Sequence, residues 1–144
     1  MTYSPLIAPI VALVAWSLVM MTWMAATRLP AMKKAGIDVS KTRGGRGQNL
    51  EGVLPDEVNW KAHNYEHLME QPTIFYAIVV ALILLDMDQT INVWLAWGYV
   101  GLRVLHSIVQ ATINEIKYRL PLFALSSLCL LGLTVHAVAR LIHG

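Results

Sequence analysis

The stretch 60–85 constrains the fold most, because it joins a polar segment to an apolar run at Pro72. Its uncharged part, residues 71–85, is too short to cross a bilayer, which takes about 20 apolar residues. A helix that crosses here therefore carries Glu70 and His67 to membrane depth. A carboxylate at that depth is costly and normally faces the interior of a bundle. The sequence thus predicts a polar partner opposite Glu70.

Composition indicates a membrane protein of one domain, residues 1–144. Of the 144 residues, 56% are hydrophobic and 14% are charged, against roughly 25% charged in soluble proteins. The single cysteine, Cys129, lies in an apolar run, which predicts a buried, unreactive thiol and excludes an internal disulfide. The RGGRG segment at 43–47 is typical of a flexible basic loop beside a membrane helix, and no nucleic-acid partner is predicted.

Four membrane spans are predicted, which gives an all-α integral membrane four-helix bundle. They cover about residues 6–27, 66–85, 91–113 and 120–140. The first lacks the basic region of a signal peptide and is expected to stay uncleaved. The second continues a helix that begins near residues 55–57, and Pro72 is expected to kink it. The turn 115–119 separates the last two spans.

The basic residues predict the orientation in the cell membrane. Ten of the eleven lysines and arginines fall within 28–61 or 103–119, while the turn 86–88 has none. The positive-inside rule therefore places both termini outside and both basic loops in the cytoplasm. Trp94 and Trp97 are expected at the outer interface. His136 and Arg140 would reach the outer interface from the fourth span.

Polar side chains of the second and third spans are predicted to face each other. Counted from Asp88 in the joining turn, Glu70 lies 18 residues before and His106 lies 18 residues after. At ~1.5 Å per residue these two groups share one depth. Gly98 and Gly101 are expected to allow close approach of neighbouring helices. The two stripes are Asn64, His67 and Gln71 with Glu70 alongside, and Arg103, His106, Gln110 and Asn114.

Two interpretations of the stripes are open. One is a buried ion pair between Glu70 and Arg103 that locks the bundle. The other, which we favour, is a polar pocket open to the cytoplasm and bounded by lipid, since buried ion pairs often add little stability. Arg103, Lys117 and Arg119 beside Glu66 and Glu70 favour a zwitterionic ligand with carboxylates and an amine. An arginine beside a thiol of that ligand would lower the thiol pKa and stabilise the thiolate.

Other polar residues have mainly structural interpretations. Asn114, and also Asn64, would cap or cross-link helices, although contact between Asn64 and a ligand stays open. Metal binding by the His63, Glu66, His67 and Glu70 cluster is not predicted, because no second cluster completes the site.

The blocks HLMEQPTIFYA (67–77) and RVLHSIVQATINEIKYRLP (103–121) resemble the MAPEG family, the membrane-associated proteins in eicosanoid and glutathione metabolism, in its bacterial form. The resemblance covers all four spans. It implies a four-helix protomer, a homotrimer, and glutathione as co-substrate, bound between subunits near the cytoplasmic face. Enzymes of the family conjugate glutathione to lipophilic electrophiles, reduce lipid hydroperoxides or isomerise lipid endoperoxides.

The resemblance also implies roles for individual residues. Arg119 would stabilise the thiolate and His106 would orient the reactants, as the catalytic pair. Glutathione would be bound by Glu70, Arg103, His67, Gln110 and Asn64. The sequence departs from the family at three positions: His67 replaces an asparagine, Gln110 replaces a tyrosine that contacts glutathione, and Phe123 replaces a tyrosine of one branch.

Two functions follow as expectations. The first is a membrane-embedded, glutathione-dependent transferase or peroxidase that takes lipophilic electrophiles or hydroperoxides from the bilayer. The alternative is a non-catalytic MAPEG-like subunit that binds lipid or docks on a larger membrane complex, which the departures at His67 and Gln110 suggest. A small transporter is disfavoured because the sequence has no internal repeat.

Overall fold

The computed structural model describes residues 3–143 and is all-α, with no strand among those residues. A short 3-10 helix, Gly47–Leu50, lies in the first loop. The five α-helices are α1 (Ile7–Lys34), α2 (Asp56–Leu68), α3 (Gln71–Leu84), α4 (Thr90–Thr112) and α5 (Ile116–His143). The predicted all-α membrane bundle is confirmed.

Three helical segments are long and apolar enough to cross a membrane. They are α1, the α2–α3 segment Asp56–Leu84, and α5. α4 is 23 residues long but carries Arg103, His106 and Gln110 on its buried side. Its role as a fourth span stays a prediction.

The second span is interrupted rather than only kinked. α2 ends at Leu68, and α3 begins at Gln71 with Pro72 in its first turn. Pro72 has no N–H to donate to the Leu68 carbonyl, so the helical hydrogen-bond ladder stops there. Glu70 lies in the break with φ −87° and ψ −100°, outside the helical region. The break therefore sets the direction of the Glu70 side chain.

α4 occupies the centre of the bundle and contacts α1, α2 and α5, while α3 packs against α5. The rings of Phe75 and Tyr99 stack in the core with centroids 4.3 Å apart. Large apolar side chains cover the outside as well, as expected for a surface that faces lipid: Leu84 is 79% exposed and Trp94 is 72% exposed.

The predicted turn 115–119 is mostly helical. α4 ends at Thr112, Asn114 with its φ of +57° reverses the chain, and α5 already begins at Ile116. Of the two glycines predicted to allow close packing, only Gly98 does so: a Cβ there would lie 3.3 Å from the Sγ of the half-buried Cys129. At Gly101 a Cβ would meet nothing within 4 Å.

Candidate functional site

A hydrogen-bonded network around Arg103 joins α2, α3 and α4. Arg103 is 1% exposed. Its Nε donates to the Tyr99 hydroxyl at 3.2 Å, one terminal nitrogen lies 3.3 Å from Nε2 of His67, and the other donates to Oε1 of Gln71. The guanidinium also lies 4.9 Å from the centre of the Phe123 ring. Arg103 is thus held by protein groups on every side.

The contact between Arg103 and His67 determines which ring nitrogen of His67 carries the hydrogen. An arginine can only donate, so Nε2 of His67 must accept and the proton must reside on Nδ1. That Nδ1–H donates to Oε2 of Glu70 at 2.7 Å. The Glu70 side chain is 68% exposed. Arg103, His67 and Glu70 therefore form a chain from a buried cation to an exposed carboxylate.

Of the two interpretations of the stripes, the one that we did not favour, a direct ion pair between Glu70 and Arg103, is wrong, because His67 lies between the two side chains. The partner of Arg103 on this side is Gln71 instead of Glu70, and the difference has a physical cause. The break at residues 69–70 takes Glu70 off the face of the α2–α3 segment that meets α4, and Gln71 occupies the position opposite Arg103.

Gln71 was predicted to lie in the polar stripe of the second span but was given no ligand role, and it joins three helices. Its Oε1 accepts from Arg103 and from the Tyr99 hydroxyl, the latter at 3.3 Å. Its Nε2 donates to the Ser127 hydroxyl on α5 at 2.9 Å. The available signal was its place four residues after His67, on the same side of a helix.

A pocket of about 320 Å³ opens beside this network. It is lined by His67, His106, Ile116, Arg119, Leu120 and Phe123. The His67 and His106 rings lie 5.1 Å apart, and the His67 and Phe123 rings 5.6 Å apart. Two imidazoles and a guanidinium thus share one opening with three apolar side chains, so the pocket can hold an anionic group and an apolar group together.

Arg119 has unused hydrogen-bonding capacity. One terminal nitrogen donates to Oδ1 of Asn114 at 2.6 Å. Its Nε is buried and has no hydrogen-bond partner within residues 3–143. An acceptor from a ligand or a neighbouring chain would satisfy this group.

Three other predicted residues lie apart from the pocket lining. Asn64 is buried between α2 and α4, where its Nδ2 donates to the Ser107 hydroxyl at 2.6 Å. Gln110 is 4% exposed, and its Oε1 has no partner among the described residues. Lys117 pairs with Glu115 at 2.6 Å instead of turning into the site.

The side chain of His136 does not extend to the outer membrane interface as predicted. It is half-buried, and its Nδ1 lies 2.6 Å from Oδ1 of Asn92 at the other end of α4. Arg140 is exposed near the end of α5.

The sequence model of the MAPEG family matches residues 6–139, which include every residue of the network and the pocket. No curated protein and no solved structure matches the chain. Because the match spans nearly the whole chain, the protein belongs to the MAPEG family of membrane proteins, the family of glutathione and eicosanoid metabolism.

Proposed function

We propose that the protein is a membrane-embedded, glutathione-dependent transferase or peroxidase that acts on lipophilic electrophiles or hydroperoxides. The observation that carries the proposal is the pocket in which Arg119, His67 and His106 share one opening with Ile116, Leu120 and Phe123. The charged side suits glutathione, and the apolar side suits a substrate that arrives from lipid.

Glu70 would receive the glutathione ammonium, since it is exposed and held in place by His67. Arg119 would stabilise the thiolate through the guanidinium that it contributes to the pocket lining. Arg103 would act by holding His67 and Gln71, because its own donors are already engaged. His106 would orient the ligand from the pocket wall.

A thiolate that is stabilised by a neighbouring cation can react with either class of substrate. With an aryl halide, the sulfur forms a C–S bond as the C–halogen bond breaks and halide leaves. With a hydroperoxide, the sulfur attacks the terminal oxygen and the O–O bond breaks, which gives a sulfenic acid and an alkoxide that takes up a proton. A second glutathione then converts the sulfenic acid to the disulfide and water.

The exposure of Glu70 supports a homotrimer with the ligand between subunits. α3 has 14 residues and is about 21 Å long, which is less than the ~30 Å hydrocarbon thickness. Glu70, next to its start, would therefore lie at membrane depth. A carboxylate there that is 68% exposed in one protomer needs cover from a neighbouring subunit and its ligand.

We place the mouth of the pocket on the cytoplasmic side, with both termini outside. The end of α4 lies beside the first half of α2, which follows the first loop, since Nζ of Lys61 donates to the Ala111 carbonyl at 3.1 Å. The two basic segments therefore share one end of the bundle, where glutathione would enter.

The direct test is turnover by purified protein in detergent, with glutathione and either an aryl halide or cumene hydroperoxide. Arg119→Ala should lower kcat by roughly 100-fold or more, the scale for loss of one group that stabilises developing negative charge. Arg140→Ala is the matched control, because it removes an exposed arginine from the far end of the same helix. Intact oligomers that neither turn over nor bind glutathione would reject the proposal.

The second candidate is a non-catalytic subunit that binds lipid or docks on a larger membrane complex. The observation that favours it is the distance of Gln110 and Asn64 from the pocket lining, together with the full engagement of Arg103. Stoichiometric partners in a native pull-down, with no response to glutathione, would support this function.

A further inference from the structure

The end of α1 and the loop after it carry four basic side chains that form no ion pair within residues 3–143. Lys33 and Lys34 lie in the last turn of α1, and Arg43 and Arg46 lie in the loop. All four are exposed. We call this set the basic rim.

The remaining basic residue of this segment is neutralised locally. Nζ of Lys41 lies 3.5 Å from a carboxylate oxygen of Asp38. The Ser40 hydroxyl donates to the same carboxylate at 2.6 Å and the Ser40 backbone N–H at 3.0 Å, and these bonds hold the pKa of Asp38 below its ordinary value. Asp38 therefore stays ionised beside Lys41, and the basic rim is the set of exposed cations at this surface that have no carboxylate partner among residues 3–143.

Two grooves flank the end of α1, and each has a largely apolar floor with one lysine at its edge. The first, about 520 Å³, lies between α1 and the start of α2, with Lys34 at its edge. The second, about 500 Å³, includes Leu29, Ile37 and Val39, with Lys33 at its edge beside Asp38, whose carboxylate is paired with Lys41. Leu29 and Val39 are 58% and 60% exposed. An apolar floor beside a cation fits a molecule with a hydrocarbon part and an anionic group.

The length of α1 places this surface at the depth of lipid headgroups. The helix has 28 residues and is about 42 Å long, whereas the hydrocarbon core of a bilayer is only ~30 Å thick. The uncharged part of α1 ends at Thr27, so the last turn emerges from the hydrocarbon among the headgroups.

We propose that the basic rim and the two grooves bind anionic phospholipids of the adjoining leaflet. The lipid phosphate would lie against Lys33 or Lys34, the first part of an acyl chain would lie on a groove floor, and the loop arginines would attract the surface charge. Cationic side chains next to a span are drawn to anionic lipid, and the attraction weakens with salt. The surface shares no residue with the pocket, so it can bind lipid whether or not the protein is an enzyme.

The test is competition between lipids in vesicles of phosphatidylcholine that contain a small fraction of brominated phosphatidylglycerol or, in a parallel series, brominated phosphatidylcholine. Bromine quenches the fluorescence of tryptophans that it touches, and Trp23 and Trp60 lie near this end of the bundle. We expect brominated phosphatidylglycerol to bind about five- to tenfold better than brominated phosphatidylcholine at low salt, as a few interfacial cations would produce. Replacing the basic rim by glutamine at all four positions should bring the ratio of the two lipid affinities close to one.

The matched control replaces Lys41 and Lys117 by glutamine, since both are exposed lysines already paired with a carboxylate. That variant should keep most of the preference. Equal retention of the two lipids by the wild type, or a preference that survives in the four-residue variant, would overturn the proposal. A loss of preference in inorganic phosphate that exceeds the loss in sodium chloride of equal ionic strength would also overturn it, because the surface would then recognise soluble phosphate.

Discussion

The two ends of α4 both bury polar side chains, but they leave them in different states. At the end near the α3–α4 turn, Asn92 is fully buried and satisfied: it donates to the Met87 carbonyl and to Gln89, and its oxygen lies 2.6 Å from Nδ1 of His136. At the end near the first loop, Asn64, Gln110 and Arg119 each keep a buried polar atom without a partner among the described residues.

The difference distinguishes a closed set of hydrogen bonds that only holds helices together, which we call a lock, from a ligand-binding site. A closed set of hydrogen bonds holds helices together and has no capacity for a ligand. Unsatisfied buried atoms cost free energy, and of these three residues only Arg119 also lines the open pocket, so the incomplete pairing and the pocket meet at Arg119. By this criterion the Asn92–His136 pair is a lock, and the region around Arg119 is a site.

The largest expected effect is the loss of stability on replacing Arg103, which we predict to be essential to the end of the bundle that carries the pocket. Arg103→Met removes the donor for Tyr99, His67 and Gln71 at once. We expect a loss of about 3 kcal/mol in the free energy of unfolding, the upper scale for hydrogen bonds to a charged group. Chemical unfolding in detergent, followed by tryptophan fluorescence, measures it. A variant as stable as the wild type would mean that the network adds nothing to the fold.

The second prediction separates the ligand role of Glu70 from its structural role. Glu70→Gln keeps an oxygen that can accept from Nδ1 of His67 but removes the negative charge. Glutathione binding, measured by calorimetry, should weaken by about 1.5–3 kcal/mol, because a charged contact to the ammonium is lost.

Glu66→Gln serves as the control for that experiment. Glu66, which the sequence placed beside the pocket, does not line it: it is an exposed carboxylate one helical turn earlier, on the side that meets Gly47 of the first loop. Its variant should bind glutathione as the wild type does. Equal weakening in both variants would show a general effect of net charge and would remove Glu70 from the site.

Much of this arrangement could be predicted from the sequence, because depth in a membrane helix follows from counting residues. Counting from Asp88 put Glu70 and His106 at one depth, and the ring of His67, three residues before Glu70, lies 5.1 Å from the ring of His106. Helix termini were less predictable: α5 begins four residues before the predicted span, because the residues near Arg119 are polar yet helical.

The partner of Arg103 could not be predicted by counting. A regular helix through Pro72 puts both Glu70 and Gln71 near α4, and the break at residues 69–70 decides that Gln71, not Glu70, bonds to Arg103. Such a break depends on φ and ψ at two residues, which periodicity does not report. The pocket likewise depends on where the α4–α5 turn brings Arg119 and Phe123.

The third prediction tests the lock. Asn92→Ala leaves the His136 ring without its partner and frees the Met87 carbonyl. We expect the free energy of unfolding to fall by about 1 kcal/mol, as for a neutral hydrogen bond, while turnover and glutathione binding stay unchanged. A double-mutant cycle with His136→Ala should give a coupling energy of similar size. A loss of glutathione binding on Asn92→Ala would show that the two ends of α4 are coupled.

The smallest expected effect lies between the two ends, at Gly98 and Gly101 on α4. Alanine is a better helix former than glycine by up to about 1 kcal/mol. At Gly101 a new Cβ meets nothing within 4 Å of this chain, so Gly101→Ala should stabilise an isolated protomer by about 0.5 kcal/mol. At Gly98 the Cβ would lie 3.3 Å from Sγ of Cys129, and the contact should cancel that gain. Thermal unfolding of both variants gives the comparison. If Gly101→Ala instead destabilises the protein and lowers its oligomeric state in detergent, then a neighbouring subunit packs on this face of α4. A subunit interface would then lie along α4 between the lock and the site of the same protomer.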